Sequence, residues 1–168
     1  LAAGATHPFT VQDLVTLQRI GAPAPSQAGN WIVFPLRSTD LVNNTGLVSL
    51  WIIRPDGTGL SELTFPPGND ASPCWSPDSS AVYYLSTRSG SSQVWSVSPF
   101  GGDPVQITDL PLDISNLKIS SDGKTLAFSL GVFPKTRYEE TAALLLALEK
   151  QNSSGKVYEK LPVRHWDT

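Results

Sequence analysis

One phrase occurs three times along this chain and constrains its fold more than any other feature. Residues 73–84 (PCWSPDSSAVYY) hold the clearest copy, residues 117–128 (LKISSDGKTLAF) a second, and residues 25–34 (PSQAGNWIVF) a degenerate third. Each copy reads as a strand end, a polar turn and a new strand of alternating apolar residues. The turns fall near residues 28, 78 and 122, a period of 44 to 50 residues. Four-stranded propeller blades repeat at about 40–45 residues, so the period indicates a propeller-like repeat.

The stretches downstream of the turns repeat as well. Trp51 and Trp95 are 44 residues apart, and Thr64 and Thr108 are separated by the same 44 residues. Between these anchors lie Pro, Asp and Gly residues, which preset turns, hydrogen-bond following amides and supply positive φ. Two anchors at one offset favour true repeats over a generic antiparallel β protein, which is the alternative.

We therefore predict a mainly β chain that forms a partial β-propeller of about two and a half four-stranded antiparallel blades. The blades fall near residues 25–64, 72–108 and 115–168, and the last is incomplete. Residues 1–22 form an N-terminal segment with a short helix, and residues 23–168 form the N-terminal part of a propeller domain.

Two segments carry helical rather than strand patterns. Apolar residues recur at helical spacing over residues 9–20, with Thr10 as N-cap and Gly21 as the stop. Residues 137–150 (RYEETAALLLALEK) are strong helix formers without a breaker and interrupt the third blade. This helical insertion either packs on the propeller rim or acts as a lid near a cleft.

Charge and composition exclude several classes of partner. The net charge is −3, only 16% of the residues are charged, and there is no basic run, so we expect no nucleic-acid or anionic-membrane partner. No apolar stretch is long enough to span a bilayer. The small apolar residues 1–5 resemble the end of a cleaved signal peptide or an expression artefact, and Asn43 and Asn152 are glycosylation acceptors. We expect a secreted or periplasmic protein, with a cytoplasmic one as the alternative.

Catalytic and metal-binding motifs are missing from the sequence. There is no Gly-x-Ser-x-Gly elbow, no Cys/His spacing for zinc and no phosphate-binding glycine loop, so no catalytic residue, metal or cofactor is predicted. His165 lies near Asp167, but we expect it to have a structural role rather than a catalytic one. Cys74, the single cysteine, is expected to be a buried, inert thiol, and Trp75 beside it a core residue.

Two adjacent carboxylates are the candidate site residues. Glu139 and Glu140 lie at the start of the predicted insertion helix, where acidic side chains favour the helix dipole. The alternative is that the pair projects into a cleft and binds the amino terminus of a peptide substrate.

The repeated phrase and its flanks resemble the prolyl oligopeptidase family of serine peptidases, and the phrase is shared with the TolB propeller. The blade motifs are residues 73–78 (PCWSPD), 86–95 (STRSGSSQVW) and 101–108 (GGDPVQIT). Residues 7–14 (HPFTVQDL) and 155–167 (GKVYEKLPVRHWD) are similar to the dipeptidyl and acylaminoacyl peptidase branch, especially its secreted members.

The resemblance implies a propeller that precedes an α/β-hydrolase domain and restricts access of peptides to its Ser-Asp-His triad. None of the triad motifs matches this sequence, so we expect the chain itself to be inactive. The chain is expected to be a non-catalytic part of an exopeptidase that releases dipeptides or acyl-amino acids, with a TolB-like binding propeller as the alternative. Open sheet edges carry a risk of self-association.

Overall fold

The elements of the computed structural model, which describes residues 7–150, follow the repeat of the sequence. In chain order they are α1 (Val11–Thr16), β1 (Arg19–Ile20), β2 (Ala24–Pro25), β3 (Ile32–Asp40), β4 (Thr45–Ile53), β5 (Ser61–Glu62), β6 (Asp70–Trp75), β7 (Val82–Ser86), β8 (Gln93–Val97), β9 (Val105–Gln106), β10 (Ile114–Ile119), β11 (Leu126–Leu130) and α2 (Tyr138–Glu149). They fall into two compact units, one ending at Gly131 and one beginning at Val132, which are described separately.

Three antiparallel sheets make up the first unit within the described range. The first has the order β1-β3-β4-β5, with β2 also paired to β3; the second is β6-β7-β8-β9; the third is the pair β10-β11. Each sheet starts near a predicted blade start. The prediction of a mainly β, partial propeller with a short N-terminal helix and a helical insertion is confirmed. The domain division at residue 22 stays a prediction.

Alternating side chains bury both faces of the second sheet. Val82 and Tyr84 of β7 are fully buried on one face, in a cluster that includes Leu50 of the first sheet. Leu85 points to the other face and joins a cluster with Ile114 of the third sheet. Burial of each such side chain stabilises the fold by about 1.5–3 kcal/mol. The second sheet is therefore packed between the first and the third, and Trp75, at 8% exposure, belongs to the core as predicted.

The threonines that recur at 44 residues occupy equivalent places. The backbone N–H of Leu50 donates to the Thr64 hydroxyl at 2.9 Å, and that of Val94 donates to the Thr108 hydroxyl at 2.9 Å. In both sheets the third strand thus donates a hydrogen bond to a threonine hydroxyl that lies just beyond the end of the short outer strand. The offset seen in the sequence corresponds to a repeated hydrogen bond.

The N-terminal helix is shorter than predicted. Thr10 caps α1 by accepting from the Asp13 N–H at 3.3 Å, but α1 ends at Thr16 rather than near Ile20. Arg19 and Ile20 instead pair with β3, and the Gly21 N–H donates to the Pro35 carbonyl at 2.7 Å. Strand pairing overrides the helical spacing because a marginal helix of this length gains little on its own.

The hairpin between β3 and β4 closes with a short polar turn. Strands β3 and β4 pair up to Asp40 and Thr45, so only residues 41–44 form the turn. The Asp40 carboxylate accepts from the N–H groups of Val42 and Asn43 and from the Asn43 side chain. Asn43 is exposed in this turn, whereas Asn152 lies outside the described residues.

The second unit contains α2, within the predicted insertion of residues 137–150. At its start the Thr141 hydroxyl lies 2.7 Å from that of Thr136 and accepts from the Phe133 N–H at 3.1 Å. These bonds fix the turn that leads into the helix. The incomplete remainder of the third predicted blade, after residue 150, lies outside the described residues.

Candidate functional site: a groove between the sheets

The first strands of the second and third sheets carry matching bulges. In β6 the register shifts between Ala71 and Cys74, and in β10 it shifts between Ser115 and Lys118. Ser72 (φ 52°) and Asn116 (φ 55°), 44 residues apart, take the left-handed conformation at the two bulges. Bulges bend a strand and re-aim its side chains, and they are frequent beside binding sites. The β-bulge is therefore itself part of the 44-residue repeat.

Two cavities of about 400 and 510 Å³ lie beside these bulges. We call their joint surface the inter-sheet groove and define it by residues 22–27, 72–77 and 116–121. The bulges line the smaller cavity, and the larger one lies toward the turns that follow β6 and β10. Both volumes fall within the range of about 300–1,000 Å³ that is typical of small-molecule sites.

Trp75 and Cys74 form part of the wall of the larger cavity. The Trp75 indole Nε1 donates to the Ala24 carbonyl at 2.8 Å, which ties β6 to the segment before β3. Cys74 is only half-buried, so the predicted burial of its thiol is partial. Burial raises the pKa of the Cys74 thiol, and the nearby Lys118 charge opposes that rise. A raised pKa favours the protonated thiol, which is the less reactive form. Inertness of Cys74 stays a prediction.

The three copies of the repeated phrase form one kind of turn. Ser76 accepts from the Ala81 N–H at 2.9 Å, Ser120 from the Thr125 N–H at 3.0 Å, and Ser26 from the Trp31 N–H at 3.1 Å. The degenerate third copy therefore keeps the geometry of the other two. It lacks their acidic residue, because Ala28 stands where the other copies have Asp78 and Asp122.

Asp78 locks the clearest copy of this turn. Its carboxylate accepts from the Ser76 hydroxyl at 2.6 Å and from the Ser80 N–H and hydroxyl at 3.1 and 2.8 Å. These donors lower the pKa of Asp78 to about 2. Asp78 is thus ionised at neutral pH and acts as a turn-forming residue at the end of the groove.

A largely buried ion pair lies on the face of the second sheet that carries Tyr84. Arg88 Nη2 lies 2.9 Å from Asp70 Oδ2, and the guanidinium stacks 5.1 Å from the centroid of the Trp95 ring. The Tyr84 hydroxyl and the Trp95 Nε1 are buried without a hydrogen-bond partner among the described residues. Burial and the Asp70 charge raise the pKa of Tyr84. This face forms part of the core between two sheets rather than a site for chemistry.

The predicted site residues Glu139 and Glu140 lie in the first turn of α2 and are exposed. Glu140 Oε2 accepts from the Arg137 N–H at 3.1 Å and so caps the helix. Glu139 lies 3.6 Å from the Arg137 Nε, and its own backbone N–H and the Tyr138 hydroxyl lower its pKa. The contacts within this unit are those of a helix start. Binding of a substrate amino terminus by this pair stays a prediction.

The described residues bring no catalytic or metal constellation together. Between residues 7 and 150, His7 is the one histidine; its Nδ1 lies 2.8 Å from the Pro8 carbonyl and its Nε2 3.7 Å from Asp13. Over the same range no cluster of His, Cys, Asp and Glu could hold a metal ion, and no helix is long and apolar enough to cross a membrane. His165 lies outside the described residues.

Sequence reasoning missed one repeated pair of structural residues. Asn69 Oδ1 accepts from the Val48 N–H at 2.9 Å, and Asp113 Oδ1 accepts from the Ser92 N–H at 2.7 Å. Each acceptor directly precedes the first strand of a sheet, and each donor belongs to a hairpin of the preceding sheet. Asn69 and Asp113 are 44 residues apart, so the offset that relates Trp51 to Trp95 also identifies them.

The known proteins that are similar to this chain include several peptidases. Dipeptidyl-peptidase 5 of Porphyromonas endodontalis is 29% identical over 160 residues, which cover 95% of this chain and 22% of that protein. The match to the structure of the AtxE2 isopeptidase covers 90% of this chain and 26% of that protein's chain, with 22% identity and a TM-score of 0.65. The match to the structure of acylaminoacyl peptidase from Pyrococcus horikoshii covers 67% of this chain and 17% of that protein's chain, with 16% identity and a TM-score of 0.55.

These relatives confirm the resemblance to the propellers of dipeptidyl and acylaminoacyl peptidases. The chain spans about a fifth of the length of the curated relative that it matches, since it covers 22% of it. The TolB β-propeller domain family matches residues 13–139, which is most of the chain. This chain therefore belongs to the TolB β-propeller domain family.

Proposed function

We propose that this chain is the propeller part of a serine exopeptidase and controls which peptides reach the active site. The enzyme would release dipeptides or acyl-amino acids from peptide amino termini. One observation carries the proposal: similarity to dipeptidyl-peptidase 5 extends over 95% of the chain, including the segments outside the repeated blades.

The character of the inter-sheet groove supports a peptide ligand. Its walls combine four prolines with neutral polar side chains such as Ser76 and Asn116, and they carry few charges. A neutral groove next to bulged strands accommodates a variable peptide better than it would a nucleotide or a metal ion, which need concentrated charge. The proposal places the serine nucleophile and its histidine outside residues 7–150.

Two further proposals concern location and the acidic pair. The enzyme would act in a secreted or periplasmic setting. Glu139 and Glu140, whose side chains are both exposed, would contribute to recognition of the substrate amino terminus. A Glu139→Gln variant of the active enzyme should then raise KM for dipeptidyl substrates without changing kcat, and Glu149→Gln near the end of α2 is the matched control.

The test is hydrolysis by the protein as its gene encodes it. We expect cleavage of dipeptidyl or acyl-aminoacyl chromogenic substrates, inhibition by a serine-directed reagent, and no cleavage by the purified 168-residue chain. Serine-reagent-sensitive activity in the 168-residue chain would contradict the placement of the nucleophile elsewhere.

A TolB-like binding propeller is the second candidate, and the family match at residues 13–139 favours it. A gene product that binds peptides or proteins but cleaves none of these substrates would support this second function and contradict the first.

A further inference from the structure

Trp31 stands at a place in the serine turn where the other copies of the repeat carry small side chains. The backbone N–H that donates to the turn serine belongs to Trp31 in the first copy, to Ala81 in the second and to Thr125 in the third. The geometry of the turn therefore does not require an aromatic residue at this place. The indole is only partly buried, against the core cluster that the first and second sheets share.

The turns that follow β4 and β8 differ from each other in a similar way. Each is closed by a 3.0 Å hydrogen bond from a glycine N–H to the carbonyl three residues earlier, at Arg54 in the first sheet and at Ser98 in the second. Asp56 and Phe100 are equivalent residues of these turns, 44 positions apart. Phe100 is 82% exposed where its counterpart is polar. The same turn forms with either residue, so the turn does not account for the phenylalanine.

These departures from the repeat meet at one place in the fold. The Arg54 guanidinium stacks 4.5 Å from the centroid of the Trp31 ring. Gly59 makes this stack possible, because a Cβ there would lie 3.4 Å from the ring and 3.2 Å from Arg54 Nη1. Trp31 and Phe100 both line two cavities, of about 590 and 280 Å³, where turns of the first and second sheets meet. We call the group of Trp31, Arg54, Asp56 and Phe100 the aromatic turn surface.

The two charges of the aromatic turn surface have opposite signs. Arg54 takes part in none of the ion pairs formed within residues 7–150. Asp56 is exposed, and the bonds that it accepts from Thr58 use only its Oδ1. Aromatic residues and arginine are enriched where proteins contact each other, and they often carry most of the binding energy. A surface that combines them with one cation and one anion is complementary to a copy of itself across a two-fold axis.

We propose that the aromatic turn surface is the contact of a homodimer. Phe100 of each copy packs on Trp31 of the other, and Arg54 of each copy pairs with Asp56 of the other, since a two-fold axis makes every contact occur twice. This dimer does not use the open sheet edges or the inter-sheet groove, and it does not depend on the proposed peptidase activity. The contact is small, so we expect a transient dimer with a Kd of about 10 µM.

Sedimentation equilibrium of the protein as its gene encodes it tests the proposal, from about ten-fold below to about ten-fold above that Kd. Phe100→Asp places in the second sheet the residue that the first sheet has, so the turn should be kept. We expect this variant to weaken the dimer at least about ten-fold, as loss of a central aromatic contact does. Phe65→Asp is the matched control, because Phe65 is 61% exposed and lines neither cavity, and its Kd should be unchanged.

Charge reversal tests the two-fold arrangement itself. Arg54→Glu leaves only negative charges on the aromatic turn surface, and Asp56→Lys leaves only positive ones. Each variant alone should be monomeric, because like charges then face each other, and an equimolar mixture of the two should form a dimer. That mixed dimer should weaken at about 1 M salt, where screening acts over roughly 3 Å.

Three results would each overturn the proposal. They are a protein that stays monomeric over the whole concentration range, a dimer whose Kd is unchanged by Phe100→Asp, and charge-reversed variants that do not associate when mixed. Far-UV circular dichroism establishes that all the variants are folded, so loss of the dimer reports on the contact rather than on unfolding.

Discussion

Asp113 Oδ1 accepts a 2.7 Å hydrogen bond from the backbone N–H of Ser92, and this bond joins the third sheet to the second. The bond from Val48 to Asn69 makes the same link between the second sheet and the first. Both acceptors directly precede the first strand of a sheet. The packing of one sheet on the next is therefore supported by a side chain as well as by apolar burial.

We expect Asp113→Ala to lower the free energy of unfolding by about 1 kcal/mol, the net contribution of one such hydrogen bond. Asp109→Ala is the control, because Asp109 is exposed and makes no hydrogen bond with the described residues. Urea denaturation of the two variants measures the difference. Equal stability of both would show that the link contributes nothing.

Removal of the Trp75 side chain should destabilise the chain by about 3–5 kcal/mol, as large-to-small changes in a core do. Trp75→Phe keeps much of the packing but loses the indole bond to the Ala24 carbonyl, so its cost should be smaller. Thermal or urea unfolding followed by circular dichroism distinguishes the two variants. A cost near zero for Trp75→Ala would remove this residue from the core.

The Tyr84 hydroxyl is buried and has no hydrogen-bond partner among the described residues, which is unfavourable for a polar group. We expect Tyr84→Phe to raise the free energy of unfolding by about 1 kcal/mol. Tyr83 points to the other face of the second sheet and is only half-buried, so Tyr83→Phe is the matched control with little expected change. Destabilisation by Tyr84→Phe would mean that its hydroxyl has a partner in solution.

Asp78 should make stability depend on pH in the acidic range. Its pKa is about 2, below the ordinary value of 3.8, because three donors hold its charged form. A carboxyl group with a lower pKa in the folded state stabilises the fold above its unfolded pKa, and this contribution is lost as pH falls through the folded value. The difference in urea midpoint between the native chain and Asp78→Asn should therefore shrink between pH 4 and pH 2.

The same substitution at Asp122 should reproduce this behaviour, because equivalent bonds from Ser120 and Lys124 lower its pKa. A midpoint difference that stays constant from pH 5 to pH 2 in both variants would contradict this role of the two aspartates.

Much of the fold was predictable because it depends on local chemistry that repeats. The serine turns at Ser76 and Ser120 use bonds between residues a few positions apart, and the threonine anchors at Thr64 and Thr108 keep one offset. The end of α1 was not predictable in this way. It depends on the pairing of Arg19 with Arg37, a partner that only the folded chain brings near.

The candidate site likewise combines features that local sequence determines with features that only the folded chain determines. The sequence by itself determined the blade period, the turns, the insertion helix and the lack of catalytic motifs, because each follows from residue types at short spacing. Only the tertiary structure decided that Ala24, Cys74 and Lys118, which are far apart in sequence, line one groove. Contacts across three sheets arise from the packing of strands against each other, and no local pattern encodes which distant residues will meet.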